Sequence, residues 1–373
     1  MSVKLRQDVL TNARRIVIKL GSQLLTNAKG ELDTRYMSRI ADQVSELIQD
    51  GRQVTLVSSG AIAMGRKMLK LERRPKDVGV LQAVASVGQT GLMDRWHDFF
   101  KKHDLHAAQM LLTRDDIEDR NRYLNIRNCI GELHEIGGVP IINENDTVSV
   151  AELRFGDNDV LAALVANALG AEALILLSVV DGLHDDNDQP LDRVDDVNAV
   201  RAHIRQGTST MGTGGMVTKL EAARMVTDAG EVAVIANGRT PNVIRRLMSG
   251  EKLGTVFMPR PRRLGQRQRW IGQAVRPAGT LAVDDGAVKA LTQQGRSLLA
   301  TGITDVVGQY KKGDVVVVRD GRGHEVARGL INYDSDETRV IMGKKTSQFE
   351  ALLGRSAYTE VVHRDNLVIT SAV

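Results

Sequence analysis

The chain has 373 residues with 42% hydrophobic and 3% aromatic content and a formal net charge of +4, which suffices for two domains with aliphatic cores. Its single cysteine, Cys129, excludes an internal disulfide and a cysteine-based metal cluster, and a reduced thiol is typical of a cytoplasmic protein, the location that we expect. The polar N-terminus lacks the apolar region of a signal peptide, and the apolar runs are too short to span a membrane, so no membrane role is expected.

Strand-like and helix-like runs alternate over residues 14–254. The strand-like runs are apolar and continuous, and they cover residues 15–20, 53–57, 106–112, 139–142, 173–177 and 232–236. Helical periodicity or composition covers residues 33–50, 75–102, 159–169 and 219–229, with a glycine after three of these segments. Continuous apolar strands separated by helices predict an α/β domain with an open, mostly parallel sheet sandwiched by helices.

The pattern changes after residue 255. Residues 259–276 are rich in proline and arginine and are predicted to form a linker. Short β-runs follow at 280–283, 315–318 and 325–330, with a hairpin turn at Asp320-Gly321-Arg322-Gly323. We therefore predict a first domain over 1–258, a linker over 259–276 and a small β-rich domain over 277–373.

The densest polar segment covers residues 143–159 and follows the apolar run 138–142. Its candidate ligand-binding side chains are those of Asn143, Asp146, Asp157, Asn158 and Asp159. The crevice beyond the carboxyl ends of parallel strands is where open α/β sheets bind ligands. Asp and Asn can hold an amino group, coordinate a metal through water or orient a lysine. The alternative is a surface turn rich in Asx residues.

Three further segments have features of a binding site. Lys19 lies near the carboxyl end of the first strand, two residues before Gly21. A cationic group is therefore expected beside the free backbone N–H groups of the following turn. Small residues at 58–65 would let a ligand approach the backbone closely. The glycine-rich stretch 207–219 ends in Lys219 and could cradle phosphates. The alternatives are an ordinary strand end, close helix–sheet packing and a mobile surface loop.

Two lysines and a cluster of carboxylates, all at strand ends, indicate phosphoryl transfer, which needs positioning and charge neutralisation more than covalent chemistry. The Walker A spacing and the Gly-x-Gly-x-x-Gly fingerprint are both absent from the sequence. A nucleotide site in this chain must therefore be of another kind.

Six motifs, in order along the chain, resemble those of the glutamate 5-kinases, which combine the amino-acid kinase fold with a C-terminal PUA domain. They are Ile-Lys-Leu-Gly-Ser (18–22), Val-Ser-Ser-Gly-Ala-Ile-Ala (57–63), Gln-Met-Leu-Leu-Thr-Arg-Asp-Asp (109–116), Asn-Glu-Asn-Asp (143–146), Gly-Asp-Asn-Asp (156–159) and Gly-Thr-Gly-Gly-Met-Val-Thr-Lys (212–219). The runs at 295–299 and 312–315 are similar to parts of the PUA module. Any one of these motifs is weak, whereas six in order are highly specific.

The resemblance implies ATP-dependent phosphorylation of the γ-carboxylate of glutamate to glutamyl 5-phosphate, the first step of proline biosynthesis. It implies Mg²⁺ carried by ATP rather than by a protein metal site. It also implies feedback inhibition by proline, cooperation with glutamyl phosphate reductase, and assembly into a homodimer or homotetramer.

The same resemblance implies a role for each matching residue. Lys19 would contact ATP phosphates, Lys219 would neutralise the moving phosphoryl group, and Asp159 would orient both lysines. The expected glutamate-binding residues are Ser59, Gly60, Asn143, Asp146, Asp157 and Asn158. The expected nucleotide-binding residues are Lys19, Gly21, Ser178, Val179, Thr213, Gly214, Gly215, Met216, Val217, Thr218 and Lys219. Val179 departs from the pattern because the family usually has aspartate there, and valine cannot replace a carboxylate acceptor in the contacts with adenosine.

Two alternatives remain open from the residues. The chain could be an RNA-binding accessory protein, because PUA modules often bind RNA and residues 255–276 hold six arginines and no acid. Against this, residues 277–373 hold 12 basic and 12 acidic residues, and aromatic side chains for base stacking are few. It could also be a related kinase for an acetylated amino acid, aspartate or carbamate, although Asp146 would suit a free ammonium group.

Overall fold

The chain forms two units, Met1–Arg263 and Leu264–Val373, in a computed structural model. The structure describes residues 2–27, 30–149, 158–185, 189–197, 200, 215–260, 264–355 and 358–370, with only the backbone for 2–6. The domain limits at 258 and 276 that the sequence suggests stay predictions.

The described part of the first unit contains an eight-stranded sheet in the order β3-β4-β2-β1-β5-β7-β8-β6. Its strands are β1 (Arg15–Leu20), β2 (Gln53–Val57), β3 (His106–Leu112), β4 (Gly138–Glu144), β5 (Ala173–Ser178), β6 (Arg193–Val194), β7 (Val232–Asn237) and β8 (Thr255–Phe257). Every neighbouring pair is parallel except β7 and β8, which run antiparallel. The predicted open, mostly parallel α/β sheet is confirmed.

Ten helices accompany this sheet in the described residues. They are α1 (Ser2–Thr11), α2 (Ser22–Leu25), α3 (Thr34–Gln49), α4 (Ala61–Met68), α5 (Val78–Lys101), α6 (Arg114–Glu118), α7 (Arg120–Glu135), α8 (Asn158–Leu169), α9 (Met216–Asp228) and α10 (Val243–Met248). The four helical segments predicted from the sequence correspond to α3, α5, α8 and α9. The sequence analysis gave no bounds for the other six, of which α7 is the longest.

The central strands β1, β5 and β7 explain why their sequences are continuously apolar. From Ile16 to Leu20 every β1 side chain is buried, and β5 is buried as far as Leu177. Helix α8 is buried at Asp159 and at every position from Leu161 to Leu169, because it contacts β1, β5 and α9. A strand or helix covered on both faces gains hydrophobic stabilisation from every side chain, so it shows no polar face in the sequence.

Helices α4 and α5 cross with their backbones in contact. A Cβ added at Gly88 would lie 1.8 Å from the carbonyl oxygen of Ala61, and one added at Gly65 would lie 1.9 Å from that of Val84. Any side chain larger than hydrogen would force the two helices apart at this crossing. The crossing therefore holds α5 at a fixed position beside α4, which follows the carboxyl end of β2.

The second unit has a five-stranded sheet in the order β10-β9-β11-β12-β13. Its strands are β9 (Gly279–Val283), β10 (Ile303–Gly308), β11 (Val315–Arg319), β12 (Glu325–Leu330) and β13 (Leu367–Ile369). All pairs are antiparallel except β9 with β11. Its helices are α11 (Gln266–Arg269), followed directly by a π-helical turn (Trp270–Ala274), then α12 (Asp285–Thr292), α13 (Ser335–Ile341) and α14 (Phe349–Leu353).

The β-rich character predicted for the second domain is confirmed, including the hairpin turn, where the Gly323 N–H donates to Asp320 O at 2.9 Å. The segment expected to be a linker contains α11 and the π-helical turn, with Trp270 and Ile271 buried. This turn contacts β12 and β13. Arginine and proline dominate the composition of this segment, and its assignment as a linker stays a prediction.

Candidate active site

A buried carboxylate lies between two lysines from different parts of the first unit. Asp159, in the first turn of α8, is 0% exposed, and its Oδ1 is 2.5 Å from the Nζ of Lys19 in β1. Its Oδ2 accepts from the Nζ of Lys219, in the first turn of α9, at 3.0 Å. Both lysines are also buried. We call these three residues the lysine–aspartate cluster, and the structure brings together the three side chains that the sequence analysis proposed as catalytic.

The charge state of Asp159 follows from its surroundings. Burial would raise the pKa of this carboxyl, but the two ammonium groups of Lys19 and Lys219 outweigh burial and lower the pKa below its ordinary value. The hydroxyl of Thr218 also donates to Asp159 Oδ2 at 3.3 Å. Asp159 is therefore an ionised acceptor at neutral pH, suited to holding two ammonium groups and unsuited to accepting a proton as a general base.

The turn after β1 runs directly against the end of β5. The Gly21 N–H donates to Leu177 O at 3.0 Å, and a Cβ added at Gly21 would lie 3.1 Å from that same oxygen. Glycine at this position lets the turn approach the neighbouring strand closely. The carboxyl ends of β1 and β5 thereby meet beside Lys19, which is the edge where parallel sheets bind ligands.

The position that departs from the family pattern lies at this same edge. Ser178 ends β5, and Val179 follows it in a bend with 42% of its surface exposed. The nearby Asp181 accepts from the side-chain amide of Asn237 at 2.8 Å. Asp181 therefore has its own partner at the end of β7.

A second set of polar side chains joins three elements at the ends of β2 and β4. The Nδ2 of Asn158 lies 2.7 Å from Ser58 O, 2.9 Å from Ser59 Oγ and 3.0 Å from Asn143 Oδ1, so its two N–H groups are shared among three acceptors. Asn143 Nδ2 donates in turn to Gln89 Oε1 in α5 at 3.1 Å. We call Gln89, Asn143 and Asn158 the amide network. It links three expected glutamate-binding residues, and Asn158 directly precedes Asp159 of the lysine–aspartate cluster.

The remaining predicted site residues lie around these two groups. Gly60 precedes α4 with φ of +104°, and Asp146 is half-buried in the turn after β4. Gly215 precedes α9, whose first turn holds Met216, Val217 and Thr218, and Thr218 Oγ1 donates to Gly215 O at 2.9 Å. Three predicted residues lie outside the described part of the chain: Asp157, Thr213 and Gly214.

Two contacts at the site were missed by the sequence analysis. Gln89 joins the amide network, and Trp96, also in α5, donates from Nε1 to Ser58 Oγ at 3.2 Å. The sequence gives one partial indication of these contacts, because Gln89 is a polar residue on the face of α5 that also carries the apolar Val84 and Leu92. Arg239 was missed as well, and it donates to the carbonyls of Gln23 and Thr26 and to Asp33.

The described residues include no group of three or more His, Cys, Asp or Glu side chains that could hold a metal ion. Among the described helices, none combines the length and the apolar character needed to cross a bilayer. Among the described residues, the site combines the two ammonium groups and the buried carboxylate of the lysine–aspartate cluster, the half-buried carboxylate of Asp146 and the amide network.

Comparison with known proteins assigns both units. The amino acid kinase family matches residues 14–237, and the PUA domain matches residues 279–353. The Glutamate 5-kinase of Chromohalobacter salexigens is 46% identical over 371 residues, covering 97% of this chain and 98% of that protein. Those of Methylococcus capsulatus and Halorhodospira halophila are 44% and 45% identical, each covering 98% of this chain and 99% of the relative.

Among solved structures, the UMP kinase of Bacillus anthracis superposes with a TM-score of 0.46 at 16% identity, covering 66% of this chain and 96% of that one. The assignment rests on the family match and on the full-length relatives, which agree over both units. The chain belongs to the amino acid kinase family and, within it, to the glutamate 5-kinases.

Proposed function

We propose that this protein transfers the γ-phosphoryl group of ATP to the γ-carboxylate of L-glutamate and releases L-glutamyl 5-phosphate. The observation that carries the proposal is the lysine–aspartate cluster, in which one buried carboxylate holds two ammonium groups at 2.5 and 3.0 Å. Membership of the glutamate 5-kinases supports the choice of acceptor.

The lysine–aspartate cluster suits the electrostatics of this reaction. The acceptor carboxylate is already ionised at neutral pH, so no general base is needed. The main obstacle is repulsion between that carboxylate and the polyphosphate. The two ammonium groups and one carboxylate together carry a net charge of +1, in a setting from which water is largely excluded. Fixed cations in such a place stabilise developing negative charge without reorganising during the reaction.

The residues divide between the two substrates. Lys19 would contact the nucleotide phosphates, Lys219 would neutralise the transferred phosphoryl group, and Asp159 would keep both in position. On the glutamate side, Ser59, Asn143 and Asn158 are already joined by hydrogen bonds, which limits their motion before substrate arrives. The half-buried carboxylate of Asp146 suits the free α-ammonium group, which disfavours an acetylated acceptor.

Mg²⁺ fits this site as a companion of the nucleotide. The described residues offer no carboxylate cluster that would hold the ion alone, and Mg²⁺ in phosphoryl-transfer sites is commonly bound through substrate phosphates. When bound, it would add charge neutralisation on the phosphate oxygens.

The proposal includes the wider role implied by the family. The reaction would be the first step of proline biosynthesis in the cytoplasm, inhibited by proline at or near the glutamate site. Its acyl phosphate product is reactive, so a glutamyl phosphate reductase would consume it, and the kinase would act as a homo-oligomer.

The proposal is tested by ADP release with a panel of amino acids, with and without Mg²⁺. Hydroxylamine should trap the acyl phosphate as a hydroxamate when glutamate is the acceptor. ADP release with another acceptor but none with glutamate would overturn the substrate assignment.

The Lys219→Ala variant tests the role of the lysine–aspartate cluster. We expect kcat to fall by roughly 100- to 1,000-fold, because a fixed donor to developing negative charge is lost, with a much smaller change in the KM for glutamate. Lys252→Ala is the control, since Lys252 is an exposed lysine paired with Asp192. Wild-type kcat in Lys219→Ala would refute the assigned role.

A further inference from the structure

The amide network ends in a buried donor that has no partner. Gln89 is only 8% exposed, and its Oε1 accepts from Asn143 Nδ2 at 3.1 Å. Its Nε2 makes no hydrogen bond among the residues that the structure describes. A buried amide N–H group without a partner is costly, so such a group in a native fold calls for an explanation.

Backbone groups, whose donor and acceptor atoms are unambiguous, fix the orientation of the Asn143 and Asn158 amides. Asn143 then fixes the orientation of the Gln89 amide. The Glu144 N–H donates to Asn143 at 3.0 Å, so the atom it meets must be Oδ1. The carbonyl oxygen of Ser58 lies 2.7 Å from Asn158, so the atom facing it must be Nδ2. The Nδ2 of Asn143 therefore faces Gln89, and the atom of Gln89 that accepts its hydrogen bond must be Oε1. Reversing Gln89 would bring two donors together.

The hydrogen bonds of the amide network therefore determine which side of the Gln89 amide carries the Nε2 donor. The network begins at Asn158, beside the lysine–aspartate cluster, and passes through Asn143. Both are expected glutamate-binding residues. The backbone contact between Gly88 and α4 holds the adjacent Gln89 in a defined position. A rigidly held donor in such a place is suited to a ligand acceptor.

We infer that Gln89 is a further substrate-binding residue, whose Nε2 donates a hydrogen bond to a carboxylate oxygen of the bound amino acid. This inference rests on the proposed function, because it takes glutamate as the ligand. A carboxylate is the matching acceptor, since the donor lies in a buried site where a charged acceptor gives a strong hydrogen bond.

The test is the kinetics of Gln89→Leu, which removes both amide atoms at similar size. We expect the KM for glutamate to rise by roughly 10- to 100-fold, the range for a lost hydrogen bond to a charged group. The KM for ATP should stay within about twofold of wild type. Glutamate should also raise the melting temperature of the variant less than that of the wild-type enzyme, because ligand stabilisation follows affinity.

Gln43→Leu is the matched control. Gln43 is a buried glutamine whose two amide atoms both have partners, with Nε2 donating to Arg39 O and Oε1 accepting from Ile244 N–H. Its substitution should lower stability and leave both KM values unchanged. This separates loss of a structural hydrogen bond from loss of a substrate contact.

Gln89→Glu separates direct contact from an effect through Asn143. It keeps an acceptor for Asn143 but replaces the amide donor by a second oxygen. Burial raises the pKa of a carboxyl, to about 8–9 for a fully buried glutamate, so the KM for glutamate should rise with pH from about 6 to about 9 as the introduced carboxyl ionises. A wild-type KM for glutamate in Gln89→Leu, or in Gln89→Glu at every pH, would overturn the inference. Failure of the proposed function itself would look different, because the wild-type enzyme would then not use glutamate.

Discussion

Asp159→Asn is the most informative single change, because it removes the one negative charge of the lysine–aspartate cluster while keeping the side-chain shape. At an effective dielectric of about 20, contacts at the observed distances correspond to roughly 6 kcal/mol of attraction each before desolvation is counted. Desolvation of three buried ions offsets most of this. Leaving buried charges without their partner costs about 3–5 kcal/mol, and this is the loss of unfolding free energy that we expect.

The pH dependence of stability gives an independent readout of the same group. The pKa of Asp159 is lowered in the folded protein, so its ionisation stabilises the fold above the ordinary aspartate pKa of about 3.9. This stabilisation is lost as the pH falls through the lowered, folded-state pKa. The unfolding free energy of Asp159→Asn should therefore depend less on pH than that of wild type below about pH 4.

The assay is urea unfolding of both proteins between pH 3 and 8, together with turnover at neutral pH, where we expect kcat to fall at least roughly 100-fold. A non-hydrolysable ATP analogue should restore part of the lost stability, because its phosphates supply anionic oxygens to the two lysines. Equal stability of variant and wild type at pH 7 would refute the electrostatic reasoning.

Asp228→Asn is the matched control. Asp228 also lies between two cations, 2.8 Å from Arg260 Nε and 3.6 Å from Arg224 Nη1, but at the far end of α9. Burial outweighs the two arginines and raises the pKa of this carboxyl. A raised pKa means that ionisation weakens the fold as pH rises, so Asp228→Asn should cost little stability at pH 7 and leave kcat unchanged.

Two further substitutions test the packing and the nucleotide edge. Gly88→Ala should lower the unfolding free energy by about 1–3 kcal/mol, because its Cβ would lie 1.8 Å from a carbonyl oxygen of α4. Gly131→Ala is the control, because a Cβ there would meet nothing within 4 Å. In the same urea unfolding assay it should leave the unfolding free energy unchanged or raise it by up to about 1 kcal/mol. Val179→Asp should lower the KM for ATP by roughly 2- to 10-fold by adding a hydrogen-bond acceptor; an unchanged KM would argue against nucleotide contact there.

The strands that form the centre of the first unit could be read from the sequence. Strands β1, β5 and β7 are apolar runs bounded by polar or glycine residues, and burial on both faces is the physical cause of that pattern. Helix α7 was missed because most of its surface is exposed and polar. Its buried residues, Tyr123, Ile126 and Ile130, do lie at helical spacing after the N-cap Asp119.

Only part of the candidate site could be predicted from the sequence. Lys19, Asp159 and Lys219 each stood out by type and by position at a strand end or a helix start. Gln89 did not, because a glutamine within a helix is ordinary until its neighbours are known. Nor could the sequence show that Asp181 binds Asn237, since their pairing depends on β5 and β7 being adjacent.

By itself the sequence determined the α/β class of the first unit, the β-rich second unit and the residue types available for charge neutralisation, because periodicity and composition are local properties of the chain. Tertiary structure alone decided that one carboxylate holds both lysines, that backbone groups orient Asn143 and Asn158, and that Asn143 in turn orients Gln89, whose Nε2 we propose as a donor to substrate. These depend on distances between distant segments, which the strand order β2-β1-β5 and the helix crossing at Gly88 set.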